Sequence, residues 1–524
     1  MSGTPGQPWQ PHANRWLVAV AVTLGAFMEV LDTTIVNVSL PHIAGSLSVS
    51  YDESAWALTT YLVANGIVLT LSGALGRRLG RKNYFLICIG GFTVTSLACG
   101  ISISFWQILV FRALQGFFGG GLQPTQQAII LDYFPPEKRS AAFSLTAIAI
   151  IIAPVTGPVL GGYLTDTYSW HWIFLVNVPV GIVTFLAVAH LLEDPPHVLR
   201  ERRTAPPFDY IGTGFIALAL GCLEIACDRG EDYDWLGSQF ISIMFLCSAV
   251  GFLFGIVHLY YARYPIVDLR VFCNRNFALG SLQIAMMGCV LYASAVLIPE
   301  FAQEQLGYTS FLAGLVLAPG ALLLIFLIPI VGRVLNFMPA KYLIAAGGLA
   351  LGCALLYSRN LVPDLDFRHL AILRAAQTAG LALLFVPIST IAYATLPQRL
   401  NGDAAALFNM SRNVFGGIGI SVSNAVVVNY QQVNQLGLVS NLTATNQPYN
   451  VLLQQVTQAM VNTGYSFAQA LHMAPGYINQ ILRGQVAVLS YMDVFFITAC
   501  MSFVMIPTAL LMSNAKPRAS GGMH

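Results

Sequence analysis

Apolar residues in this chain come in long, nearly unbroken runs, not in the short alternations of a soluble helix or strand. Runs of about 18 residues or more, bounded by charges or Pro/Gly clusters, have the length that carries a helix across a bilayer. They predict spans at 16–38, 54–75, 84–102, 105–128, 140–164 and 171–192. Two more fall at 208–227 and 238–260, and six at 277–301, 311–333, 341–358, 368–392, 402–429 and 489–512. The pattern is that of an all-α membrane protein with fourteen transmembrane helices.

The basic residues supply an independent check, because Lys and Arg are retained on the cytoplasmic side of short loops. With the N-terminus inside, the cytoplasmic segments hold 18 of the 25 Lys and Arg residues. The outer segments hold only Arg229, Arg359, Arg368 and Arg483, while Arg112, Arg374 and Arg412 lie within spans. A missed or added span would scramble that split, so both termini are expected to be cytoplasmic. Met1–Asn14 lacks the basic stretch of a cleaved signal, so the first span is expected to be retained.

Composition agrees. Hydrophobic residues make up 56% of the 524 and charged ones 9%, against about 25% charged in soluble domains. A net charge of +2 offers no basic face for nucleic acid. The nine cysteines lie in or beside apolar runs without the close pairs of zinc or redox sites, so no metal or cofactor is expected. No phosphate-binding Gly-x-x-x-x-Gly-Lys-Ser/Thr sequence occurs, which leaves an ion gradient as the energy source.

The chain also repeats itself. Arg112-Ala-Leu-Gln115 in the fourth span returns as Arg374-Ala-Ala-Gln377, 262 residues later, and Pro135 matches Pro397 at the same offset. Lys82 and Lys341 open similar segments. Three matches at nearly one offset imply two six-span halves, 1–192 and 271–524, with 193–270 as an inserted two-helix hairpin. Duplicated halves are the plan of secondary transporters, whose substrate site lies between them near mid-membrane.

Ionisable groups at depth are costly and usually serve transport. Counting about 1.5 Å per residue, Glu29 and Asp32 of the first span share a depth with Arg112 of the fourth. Glu29 and Asp32 are three residues apart, hence on one helix face. Two carboxylates so close in a dry site should hold one proton between them, and Arg112 could release or restore it. These three are the expected proton-coupling residues. Arg374, Glu300, Glu224 and Arg412 are secondary candidates. Phe27, Asn37, Phe117, Phe118, Tyr292 and Phe408 are the expected lining of a substrate cavity.

Four motifs carry a family resemblance. Gly73-Ala-Leu-Gly-Arg77-Arg78-Leu-Gly80-Arg81-Lys82 resembles the first cytoplasmic loop of the major facilitator superfamily. Leu31-Asp32-Thr33-Thr34 and the residues to Pro41 are similar to the first span of its fourteen-span drug:proton antiporters. Pro154-Val-Thr-Gly157-Pro158-Val-Leu-Gly161-Gly162 resembles their span-five antiporter motif, with Ala153 where a Gly is usual. Trp170-His171-Trp172 through Pro179 is similar to the entry to span six, with His171 replacing an Arg. The resemblance runs the length of the chain and is strongest to EmrB-type pumps. It implies the major facilitator fold, proton-driven export of amphipathic compounds and a bacterial cytoplasmic (inner) membrane location. A dedicated exporter of a single metabolite is the alternative, with a membrane sensor or channel behind it.

Two features refine that picture. The loop motif usually carries Asp at its fifth position, where this chain has Arg77. Since Asp403 opens the thirteenth span, two readings stand side by side: a swapped pair, Arg77 with Asp403, across the seam between the halves, or Asp403 as an ordinary helix cap with Arg77 on lipid phosphate. The segment 430–488 is rich in Gln and Asn, with an amphipathic stretch at Val451–Met460. It is expected to be an outer loop carrying helices. Because EmrB-type pumps of two-membrane bacteria work with a periplasmic adaptor, that loop is the natural contact surface.

Overall fold

In a computed structural model, the structure describes residues 11–513 apart from 205–206, 336, 361, 363–364, 441 and 444. Among the described residues the regular structure is helical. The first half holds α1 (Arg15–Leu47), α2 (Tyr51–Leu79), α3 (Arg81–Gly100), α4 (Phe105–Gly119), α5 (Leu122–Tyr133), α6 (Arg139–Thr167), α7 (Trp172–Leu175) and α8 (Asn177–Leu191). A short helix, α9 (Pro196–Arg203), leads into the hairpin of α10 (Tyr210–Arg229) and α11 (Gln239–Tyr261). The second half begins with α12 (Arg275–Glu304), α13 (Ser310–Leu315), α14 (Ala318–Val334) and α15 (Ala340–Tyr357). It continues through α16 (Phe367–Tyr393), α17 (Asn401–Val439), α18 (Gln447–Asn462) and α19 (Phe467–Leu510).

Eleven helical stretches are long and apolar enough to cross a membrane, and the bent α6 makes a twelfth. The remaining two of the fourteen paths are built differently. One is α4 followed by α5, interrupted at Gly120-Gly121. The other is α17, which is long enough but interrupted by Asn401, Asp403, Asn409, Ser411 and Arg412, all buried. These two lack a plain apolar run because they supply the polar contacts between the halves.

Within the first half α1 packs on α6, α2 on α4, and α3 on α4 and α8; the second half repeats this with α12 on α17, α14 on α16 and α15 on α16 and α19. The seam joins α2 and α5 to α17, and α6 to α14 and α16. In the hairpin, α10 lies against both α2 and α17. Burial separates centre from edge: 72% of the most apolar window is buried in α1, α12 and α16, and 22% in α11. With no water to satisfy backbone groups in the bilayer, helices are the only viable elements here. The edge helices then expose apolar side chains to lipid.

The segment 430–488, expected to carry helices, is helical through most of its length, α18 covering the amphipathic stretch Val451–Met460. α17 continues to Val439, α18 fills Gln447–Asn462, and α19 begins at Phe467, so 430–488 is nearly all helix. Hydropathy marks where the bilayer ends, not where hydrogen bonding ends. A polar stretch without a strong breaker simply carries the helix out of the membrane.

Candidate functional site

α1 places Glu29 and Asp32 on its buried face. Asp32 is sealed inside the first half. Its Oδ2 accepts from Arg112 Nη1 at 2.5 Å, and its Oδ1 accepts from Gln115 Nε2 and Asn177 Nδ2, both at 2.9 Å. Arg112 also donates from Nε to the Ala57 carbonyl at 3.1 Å and from Nη1 to Gln115 Oε1 at 2.9 Å. Its guanidinium lies 4.0 Å from the centre of the Tyr61 ring. This closeness depends on Gly116, one turn further along α4, where a Cβ would strike the backbone of Tyr61. A buried ion pair adds little net stability, but removing one partner leaves an uncompensated charge and costs about 3–5 kcal/mol.

Glu29 has a different set of partners. Its Oε1 accepts from Asn65 Nδ2 at 2.8 Å, and its Oε2 accepts from Gln123 Nε2. Gln123 in turn accepts, at Oε1, from Arg412 Nη2 of the second half. Arg112 thus reaches Asp32, and Glu29 answers to Arg412 through an amide. The expected trio sharing one proton is replaced by two sites about one helical turn apart, some 4.5 Å of rise. The physical reason is supply: Asp32, Gln115 and Ala57 already engage Arg112, while α5 brings Gln123 to Glu29.

The other buried charges are placed as follows. Arg374 donates from Nη1 to Ser294 Oγ at 2.7 Å and to Gln377 Oε1 at 3.3 Å. Arg412 is fully buried on α17, also bonded to its neighbour Asn413. Glu224 of the hairpin lies against Gly417 of α17, and Asp228, one turn on, accepts from Thr59 Oγ1 of α2. Glu300 and Glu304 flank Tyr491 at the outer end of α12.

Near the inner face the halves are clasped. Arg77 Nη1 donates to Asp403 Oδ1, so the structure brings the swapped pair together. Gly73 permits this approach, since a Cβ there would meet Asp403 and Gly402 at 2.6–2.9 Å. Arg81 Nε pairs with Asp132 Oδ2 at 2.8 Å, and Asp132 Oδ1 faces His197 Nε2 of α9 at 3.3 Å and accepts from Asn401 at 3.4 Å. Gly80, at φ 85°, turns the chain so that Lys82 N can donate to Asp194 Oδ1 at 2.9 Å. Burial raises the Asp194 carboxyl above its ordinary range, against the pull of that hydrogen bond. Arg78 is exposed beside this clasp. Deeper in, Gln127 and Asn409 exchange hydrogen bonds at 3.3 and 2.9 Å, and Tyr393 donates to Gln127 at 2.9 Å. From Asn401 to Arg412 these contacts climb about 16 Å along α17 and join the two halves along that column.

The antiporter motif forms the tight face between α6 and α1. A Cβ at Gly157 would collide with Thr34, and one at Gly161 would lie 2.8 Å from the Ile35 carbonyl. Pro154 and Pro158 are both inside α6. Its parts Pro136–Pro154 and Thr156–Thr167 meet at 43°, where proline removes a helical hydrogen bond. Gly162 is buried.

The aromatic candidates divide. Phe408 is buried in a cluster with Tyr393, at 5.3 Å, which stacks on Phe143 across the seam at 5.7 Å. Tyr292 packs on Gly416, Phe27 is half-buried and Asn37 is exposed. Phe118 packs against Gly91 of α3, away from the seam. Phe117 lies on an exposed apolar stripe with Trp106, Val110 and Leu114. Sequence reasoning missed Asn65, Gln123, Gln127, Asp132, Asn177 and Asn409. Their signal was present: an amide inside an apolar span needs a partner there, and so does the acid Asp132 at the end of one.

Comparison with known proteins places this architecture. The Major Facilitator Superfamily profile matches residues 22–420. The multidrug export protein EmrB of Escherichia coli K12 is 33% identical over 97% of this chain and 96% of its own. The fatty acid resistance protein FarB of Neisseria gonorrhoeae is 32% identical over 99% of both chains. Among solved structures, the human organic anion transporter MFSD10 superposes with a TM-score of 0.55 at 14% identity, covering 95% of this chain and 100% of that one. An inward-facing bacterial homologue of the lysosomal transporter Spinster gives 0.52 at 17% identity, with 96% and 99% covered. This chain belongs to the major facilitator superfamily, in its EmrB-type group.

Proposed function

We propose that this protein is a proton-driven antiporter that exports amphipathic or hydrophobic compounds across a bacterial inner membrane by alternating access. The observation that carries the reading is the Asp32–Arg112 pair, sealed in the first half with every carboxylate oxygen engaged. The similarity to multidrug export proteins over nearly the whole chain supports it. A carboxylate so placed changes its environment only when helices move, so taking up or releasing its proton biases which state is populated. A proton moving down the membrane potential supplies about 2.3 kcal/mol per 100 mV.

Glu29 is the second proton-handling group, and its link through Gln123 to Arg412 ties its charge to the opposite half. Residues 1–192 and 271–524 rock as two bodies, with 193–270 inserted at their seam and both termini cytoplasmic. The Arg77–Asp403 and Arg81–Asp132–Asn401 contacts are the inner gate, released when the inner side opens. The α6–α1 face at Gly157 and Gly161 seals the path against leak. The outer helices formed by 430–488 are the docking surface for a periplasmic adaptor.

The test is substrate efflux from reconstituted vesicles with and without an imposed pH gradient, comparing wild type with Asp32→Asn and Glu29→Gln. Gradient-driven efflux in the wild type and its loss in Asp32→Asn is the expected result. Efflux indifferent to the gradient removes the proposal.

A further inference from the structure

The two halves carry the same polar frame with one member changed. Arg112 and Gln115 of α4 correspond at an offset of 262 to Arg374 and Gln377 of α16, and Asp32 of α1 corresponds at that offset to Ser294 of α12. The bonds correspond as well. Arg112 Nη1 reaches Asp32 and Gln115 Oε1, and Arg374 Nη1 reaches Ser294 Oγ and Gln377 Oε1. Cys99 contacts Gln115, and Ser358, 259 residues later, contacts Gln377. That is the offset separating Lys82 from Lys341. The second half has kept the guanidinium and its amide clamp and replaced the carboxylate with a hydroxyl.

Arg374 is therefore a permanent cation, 1% exposed, that makes no ion pair among the described residues. Its Nε donor has no hydrogen-bond partner among the described residues. A charge buried without a counter-charge is unfavourable unless something supplies one, and guanidinium is the side chain best shaped to take an oxyanion. Serine at 294 is smaller than the aspartate at the matching place, and its hydroxyl, which donates to the Leu291 carbonyl at 3.2 Å and accepts from Arg374, would have to turn from Leu291 to donate to a bound anion.

We infer that Arg374, with Ser294 and Gln377, is a binding site for a monovalent anion, which occupies the place that Asp32 fills in the other half. Two sources share this chemistry: the acid group of an exported amphiphile, which rests on the proposed export function, and a small inorganic anion, which does not. Binding is read without transport, so failure here leaves the proton-driven reading intact.

The experiment is the thermal unfolding midpoint of the full chain, purified in a neutral detergent. A dilute zwitterionic buffer is the background, titrated with sodium chloride or sodium decanoate, and decanol is the uncharged control. Wild type should shift upward with chloride or decanoate and not with decanol. Chloride acting alone assigns an inorganic anion, and decanoate acting without chloride assigns a substrate head group. Ser294→Asp supplies the acid within the chain, so its midpoint should start higher and stop responding, while Ser294→Asn should still respond. A wild type no more stable with chloride or decanoate than in buffer alone overturns the inference. So does a Ser294→Asp protein that responds as the wild type does.

Discussion

The first half's α1–α4 contact and the second half's α12–α16 contact are one structure used twice, with opposite electrostatics. In the first, Arg112 is neutralised by Asp32, a group that can gain or lose a proton. In the second, Arg374 faces Ser294, which cannot titrate in the working range of pH. Repetition of the helices therefore does not repeat the carboxylate. The difference teaches that repeated helices need not repeat their charges: one half neutralises its guanidinium with an acid, and the other holds it with a hydroxyl and an amide. A transporter with a titratable acid in both places would have two proton sites to empty in each cycle.

The largest expected effect comes from removing one partner of the neutralised pair. Arg112→Ala should strand the Asp32 carboxylate and cost about 3–5 kcal/mol, read as a fall in the unfolding midpoint and loss of gradient-driven efflux. Arg374→Gln, which strands no acid, should cost under about 1.5 kcal/mol, the range of ordinary hydrogen bonds. If the two substitutions cost the same, the contrast between the halves is only geometric.

Next in size is the clasp between halves. Arg77→Asp places two acids at the N-terminus of α17, and Asp403→Arg places two cations there; each should impair transport. The double swap should recover an interaction of about 1–3 kcal/mol, measured as a double-mutant cycle on efflux. Absence of recovery would mean that Arg77 and Asp403 act separately.

Gln123→Leu cuts the link from Glu29 to Arg412 and leaves both ends short of a buried partner. It should cost about 1–3 kcal/mol and shift the pH dependence of efflux, with the Asp32 environment preserved. Transport with an unchanged pH profile would show that Glu29 does not communicate with the second half. The smallest effect is expected from Arg78→Ala, an exposed cation outside the clasp. Its change in stability should stay within about 0.5 kcal/mol.

The all-helical membrane fold was legible in the chain because it depends on a one-dimensional quantity, the length of apolar runs. Asp32, Arg112, Arg77 and Asp403 were legible as well, since a charge inside or beside a span is conspicuous. Their partners were not. Gln123 and Asn177 stand 94 and 145 residues from the carboxylates they hold, and no periodicity links them. Phe117 and Phe118 show the same limit in reverse. Being aromatic and adjacent to Arg112's helix says nothing about which way a side chain faces.

The amino-acid order by itself determined which segments enter the bilayer, where the cations lie and that one half copies the other, because the solvent imposes those choices residue by residue. Only tertiary packing decided that Glu29 answers to Arg412 and Asp32 to Arg112. It also decided that the copied guanidinium is left without an acid. A hydrogen bond acts over about 3 Å, and which groups come that close is settled by how fourteen helices lean on one another.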